Sequence, residues 1–215
     1  MSWLLHLPPV IIAPSGIKIH CFYGLCLVLH HLSWPHHLQD AETIFPMSVS
    51  AMSELFNHIL KLLYSQWKHV LHWDHVCLTP EFLNQCAQVA LAKGALLEDT
   101  FAFIDGTHMR ICQPEQNQED FYSGQKRYHS IKFQCITTPD AMLVHVGGPF
   151  LGQQHDAWML NESRIRPYLL AHACGPDGQQ MSVYGDEGYG QSPKVKAPFR
   201  GNMLTPEQHQ RNESM

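Results

Sequence analysis

The chain has 215 residues, room for one or two domains with a sizeable core. Apolar residues make up 45% and charged residues only 15%, which excludes a disordered chain. The formal net charge of -5 argues against a strong, self-sufficient nucleic-acid binder, although 16 histidines add positive charge below about pH 6.5.

Seven cysteines, an odd count with no C-x-x-C pair, fit a reduced, intracellular compartment. A zinc site from Cys21, Cys26 and nearby histidines matches no closed-site spacing. The apolar start carries His6, Pro8 and Pro9 and no basic stretch, so neither a signal peptide nor a membrane helix is expected.

Taken in order, residues 1–18 show no clear periodicity and are expected to be poorly ordered. A helical segment spans 19–95. Its first helix is predicted over 23–32, stopped by Ser33-Trp34-Pro35, and a second over 37–45, stopped by Pro46. A third starts at Ser48 or Ser50. In it Met52, Leu55, Phe56, Ile59, Leu62, Leu63 and Trp67 recur at three- and four-residue steps. This all-α segment has a helix-turn-helix-like outline, but it is equally that of a three-helix bundle, and Ser50 to Trp67 offers few cations to DNA. Thr79-Pro80-Glu81 opens a further helix that Gly94 ends.

From residue 100 onward the period becomes strand-like. A buried strand covers 101–111 and contains Asp105. A second strand, 128–138, and a third, 142–146, make a meander that Gly147-Gly148-Pro149 ends. Asp156 opens a helix through Leu169 that Pro167 is expected to break or kink. A short fourth strand over 181–184 precedes Gly185-Asp186-Glu187-Gly188-Tyr189. The fold class expected for 100–215 is α/β, a mixed sheet with flanking helices.

Asp105, Asp156 and Asp186 thus stand at the ends of apolar runs. Each has a local reading: Asp-Gly turn, helix cap, turn between glycines. Together, at strand ends on one sheet edge, they suit Mg²⁺ or Mn²⁺, because hard cations take oxygen ligands. Such ions activate water and stabilise the leaving oxygen of a phosphodiester.

Five segments extend this picture: Ile104-Asp105-Gly106-Thr107-His108, the run from Asp120 to His129, Lys132-Phe133-Gln134, Gly152-Gln153-Gln154-His155-Asp156 and Gly185-Asp186-Glu187-Gly188-Tyr189. In this order they resemble the DDE superfamily endonuclease domain of PIF/Harbinger-type transposases and their domesticated relatives. The resemblance covers about Thr100 to the C-terminus. It implies an RNase H-like fold, two-metal DNA cleavage and a nuclear location, with cytoplasm as the other intracellular option. A separate DNA-binding partner protein is a further expectation. It places catalytic acids at Asp105 and Asp186 and sets Asp156 near the metal as a supporting ligand. Lys126, Arg127, His129 and Lys132 match a basic segment, for which phosphate contact is the expected role.

The family also carries a third acid, a Glu on a helix beyond the Gly-Asp motif. Glu187, Glu207 and Glu213 do not match its place, so the domain is expected to be incomplete at its C-terminus, with one sheet face left open. A non-catalytic DNA- or protein-binding remnant is the alternative. A hydrolase unrelated to the family would need a nucleophile, and no Gly-x-Ser-x-Gly elbow occurs.

Overall fold

The computed structural model describes residues 6–33, 37–199, 201 and 204–214, which fall into two compact units, residues 1–68 and 69–215. The helix Pro80–Ala92, which periodicity grouped with the helical segment 19–95, instead buries Leu83, Cys86 and Ala87 in the core of the second unit.

The first unit contains order where none was expected. Strands β1 (Val10–Ile12) and β2 (Lys18–His20) pair antiparallel, with Ile11 opposite Ile19 and both buried. A tight turn closes the hairpin. Gly16 adopts φ +89, and the Ala13 amide donates to the Ile17 carbonyl at 2.9 Å. The prolines therefore lead into a hairpin and not into a loose tail. Helix α1 (Cys21–Ser33) follows, and its expected stop at Trp34 and Pro35 lies outside the described residues. The helix expected over 37–45 is replaced by one 3₁₀ turn, Asp40–Thr43. Ala41 and Phe45 are its buried residues, with Leu38 packed partly buried beside them, and Pro46 disfavours helix at the residue before it. Helix α2 (Val49–Trp67) starts at Ser48, whose hydroxyl accepts from the Ala51 amide. Met52, Leu55 and Ile59 form its buried stripe.

The second unit opens with α3 (Pro80–Ala92), capped by Thr79 as its sequence dictates. The sheet follows: β3 (Thr100–Arg110), β4 (Tyr122–Ser123) after the single turn α4 (Gln118–Phe121), β5 (Tyr128–Thr137), β6 (Leu143–Leu151), β7 (Ser182–Gly185) and β8 (Val195–Lys196). Its main order is β6-β5-β3-β7-β8, with β4 continuing at the far end of β5. The first three long strands are antiparallel, whereas β7 joins β3 in parallel and β8 joins β7 in parallel.

Strand β6 runs past its expected end. Gly148, at φ +132, lies where pairing with β5 shifts register, so the extra residue is absorbed as a bulge. The helical stretch after Asp156 splits into α5 (Asp156–Glu162) and α6 (Ile165–His172). The break falls at Ser163 and Arg164, not at Pro167. Arg164 takes φ 56, and Ser163 is buried, donating to the Leu160 carbonyl and accepting from the Gln134 amide. Pro167 sits in the first turn of α6, where a missing N–H costs nothing. The last helix, α7 (Pro206–Ser214), is polar.

Strand alternation divides the residues of β3 between two faces. Gly106 and His108 face the side on which α5 packs. Phe103, Asp105, Thr107 and Met109 face the other side, where Phe103, Met109 and the neighbouring Leu143 are 36%, 54% and 62% exposed. Helix α3 packs along β3 beside Phe103, and the exposed part of this face lies beyond it. None of the described helices is long and apolar enough to cross a membrane.

His145 on β6 is 1% exposed, and neither ring nitrogen has a partner at hydrogen-bonding geometry. Burial pushes its pKa down to about 4. The ring of His72 lies 6.3 Å away, and nearby backbone of His72 and Leu71 offsets a little of the shift. The ring is neutral in the folded chain above that value and protonates in the unfolded chain near pH 6.5. Stability is therefore complete above pH 6.5 and declines as pH falls toward 4, by about 2 kcal/mol at pH 5. Urea titrations at pH 7.5 and 5 should show this loss in the parent, and His145→Phe should reduce it.

Candidate active site

Parallel pairing of β3 with β7 sets Ile104 beside Gly185. The next residue on each chain is an aspartate, so Asp105, midway along β3, and Asp186, just past the end of β7, emerge side by side. Asp105 is exposed, contrary to the burial expected of its strand, and its Oδ1 accepts the Gly106 amide at 2.7 Å. Asp186 is also exposed and accepts the Gly188 amide at 2.9 Å. The local readings of both acids are therefore true of their hydrogen bonds, and they coexist with the pairing across the strands.

Asp156 reaches the same region from the first turn of α5. A Cβ on Gly188 would lie 2.5 Å from Asp156 Oδ2 and 3.0 Å from Asp186 Oδ1. A Cβ on Gly106 would lie 2.8 Å from Asp156 Oδ1. The carboxylate of Asp156 thus fills a notch that exists because both positions are glycine. Neither glycine needs a positive φ; close approach is what excludes a side chain. Gly106 follows Asp105 directly and Gly188 follows Asp186 by two residues, but only the notch gives that placement meaning.

Lys132 on β5 closes the arrangement. Its Nζ donates to Asp156 Oδ1 at 2.8 Å and to the Gln154 carbonyl at 2.9 Å, and the residue is 6% exposed. His108, opposite Lys132 in the β3–β5 register, has its Nδ1 2.9 Å from Ser130 Oγ. Burial lowers its pKa, and Lys132 and Lys126 lower it further against the pull of Asp156.

The carboxylates act on each other. The Asp186 carboxyl is held above the usual range by burial first, then by Asp156 and more weakly by Asp105; the Gly188 amide and Lys132 oppose the rise. Tyr189 is 3% exposed and its hydroxyl has no hydrogen-bond partner among the described residues. Its phenol pKa is raised by burial and then by Asp156, Asp105 and Asp186. This tyrosine belongs to the electrostatic unit, a role that the sequence reading did not assign.

The three aspartates nevertheless do not converge on one point. Among the described residues no three His, Cys, Asp or Glu side chains gather closely enough to hold a metal ion. The reason is geometric: Asp105 leaves β3 on the face of Phe103 and Met109, while Asp156 approaches from the face of Gly106 and Lys132. Glu187, Glu207 and Glu213 are exposed and join no such group. Oxygen donors at Asp105 and Asp186 still suit Mg²⁺, which keeps several waters and takes one or two carboxylates.

The basic residues divide. Lys126 and Arg127 are exposed in the turn between β4 and β5, and His129 packs edge-on against Tyr122. Arg127 and His129 line a surface cleft with Arg110, Tyr122 and Tyr128; the Arg110 guanidinium lies 5.6 Å from the Tyr128 ring centre. Lys132 is separate from this group, committed to Asp156. Arg110 was not singled out from sequence, since its place beside the turn depends on the β3–β5 register.

Residues 104–215 match the family described as DDE superfamily endonuclease. No curated protein and no solved structure matches the chain.

The Lys132–Asp156 pair should be strongly coupled. Removing one partner strands a mostly buried charge, so Asp156→Ala is expected to cost about 3 kcal/mol in urea unfolding. The Lys132→Met, Asp156→Ala double variant should cost less than the sum of the two single changes. Additive costs would mean that the pair is not an energetic unit.

Proposed function

Since the chain belongs to the DDE superfamily endonucleases, we propose that it is a transposase-derived, divalent-cation-dependent DNA endonuclease of the PIF/Harbinger type. The observation that carries this reading is the juxtaposition of Asp105 and Asp186 by the parallel β3–β7 register. An RNase H-like arrangement is supported by the strand order: three antiparallel strands with the first central, then two parallel ones on its other side. A nuclear location accords with DNA as substrate.

In this reading Asp105 and Asp186 hold the cation. When bound, it activates a water and offsets charge on the leaving 3′ oxygen. Asp105 is held by the Gly106 amide and Asp186 by the Gly188 amide, so both carboxylates are oriented before the cation arrives. The Asp186 carboxyl pKa is raised first by desolvation and then by the Asp156 and Asp105 charges, and a bound cation would offset the second part. Asp156 and Lys132 act as positioning residues that brace the glycine notch. Lys126, Arg127, His129 and Arg110 offer phosphate contacts along the β4–β5 end of the sheet.

Supercoiled plasmid incubated with Mg²⁺ or Mn²⁺ should be nicked by the parent chain and left intact by a folded Asp105→Asn variant. Failure of the parent to nick under either ion, in a folded preparation, would overturn the endonuclease reading. Protons compete with the cation at Asp186, so Mn²⁺ affinity should fall with pH beginning above the usual carboxylate range. Asp186→Asn should weaken binding and flatten that dependence.

DNA affinity should decline steeply with salt. Arg127→Ala and Lys126→Ala should each lower the slope of log affinity against log salt by about 1, without changing sequence preference. An unchanged slope would remove these residues from the DNA interface.

A further inference from the structure

Two adjoining clefts lie where β4 meets β5, well away from the carboxylates. Arg110 stands five residues beyond Asp105 on β3, about 17 Å at the usual strand rise, so these clefts are not part of the acid site. We propose that they bind an unpaired stretch of DNA, with a base stacked on Tyr122 and the adjoining phosphates on Arg110 and Arg127. The inference rests on DNA as the substrate and adds the form in which a strand is held.

Arg110, Tyr122, Arg127, Tyr128 and His129 line one cleft of about 580 Å³. Tyr122 and His129 also line the second, of about 610 Å³, together with Asn117, Gln118 and Glu119. Both volumes suit a ligand of nucleotide size. The Tyr122 and His129 rings meet at 66° with their centres 5.4 Å apart, and they form the ridge that the two clefts share.

The walls differ in chemistry. On one side the Arg110 guanidinium lies 5.6 Å from the Tyr128 ring centre, and the His108 ring meets the same tyrosine at 89°. A guanidinium placed over a ring is held in direction, and its paired N–H groups match a phosphate. Arg127 is exposed in the turn before β5, at φ 59. On the other side Asn117 and Gln118 bring side-chain amides, which suit base edges, and Gln113 Nε2 donates to Gln118 Oε1 at 2.7 Å. Glu119 is exposed there and repels phosphate. The backbone of a bound strand therefore belongs on the arginine side and its base on the amide side, with Tyr122 between them.

The ring decides between duplex and single strand. Tyr122 is 42% exposed. A duplex hides the faces of its bases, whereas an unpaired base can stack on an aromatic ring. The chain carries a net charge of -5, so phosphate attraction alone is weak and stacking supplies much of the affinity.

The test is binding of a single-stranded DNA oligonucleotide with 2-aminopurine at its adenine positions, and of the corresponding duplex, to the full chain in EDTA. EDTA keeps the carboxylate site out of the measurement. The expected result is tighter binding of the single strand, with 2-aminopurine fluorescence quenched as a base stacks. Tyr122→Ala should weaken this binding about tenfold and reduce the quenching, with the salt slope unchanged. Tyr122→Phe should keep both. Arg110→Gln should lower the slope of log affinity against log salt by about 0.7. Circular dichroism checks that each variant is folded; if Tyr122→Ala is not, the single-strand and duplex comparison in the parent still decides. Equal or tighter binding of the duplex overturns the proposal. So does no binding of either form, a folded Tyr122→Ala that keeps affinity and quenching, or an unchanged slope in Arg110→Gln. Plasmid nicking is read separately, so failure of the endonuclease reading is distinct from failure of this one.

Discussion

The parallel ladder between β3 and β7 is the constraint on which the rest depends. It joins two segments far apart in the chain and makes Asp105 and Asp186 neighbours. A parallel pair requires a long crossover, and here β5, β6, α5 and α6 all lie in it. The same connection that allows the ladder thus delivers Lys132 on β5 and Asp156 on α5. Short apolar strands in the centre of a sheet make this durable: Val183 and Phe101 are fully buried, and the aspartates emerge only where that burial ends.

Around this ladder, absence of side chains does as much as their presence. Gly106 and Gly188 leave the space that the Asp156 carboxylate occupies, and a Cβ at either would displace that carboxylate. The carboxylate then needs a counter-charge, which Lys132 supplies from the adjacent strand. A network of this type has high stakes in a low dielectric, since each member is costly to leave alone. Its electrostatic reach is visible in Asp186 and Tyr189, both shifted upward by burial together with the neighbouring carboxylates.

The two faces of the sheet play different parts. The side facing α5 holds the ion pair and the Gln134–Ser163 hydrogen bond, and its polar groups are enclosed. The side with Asp105 is partly covered by α3 and partly exposed, with apolar residues at its surface. Alternation along one strand is enough to produce this difference, and it also keeps Asp105 from meeting Asp156 directly.

Much of the chain was legible from local chemistry. The caps at Ser48 and Thr79, the stripe of α2, the three long strands and the three aspartates follow from periodicity and hydrogen-bonding rules that act over a few residues. Where neighbours far along the chain decide, the sequence was silent or misleading. Residues 10–20 became a hairpin because Ile11 and Ile19 had a core to enter. The 37–45 segment made one 3₁₀ turn ahead of Pro46, with Ala41 and Phe45 buried and Leu38 partly so. Lys132 read as one of four surface cations, yet strand register and the approach of α5 turned it inward onto Asp156. The sequence by itself determined which residues bring charge and oxygen donors to the domain, since charge and residue type are local properties. Only the tertiary structure decided which of them meet, because pairing register and the face a strand presents are set by the whole sheet at once.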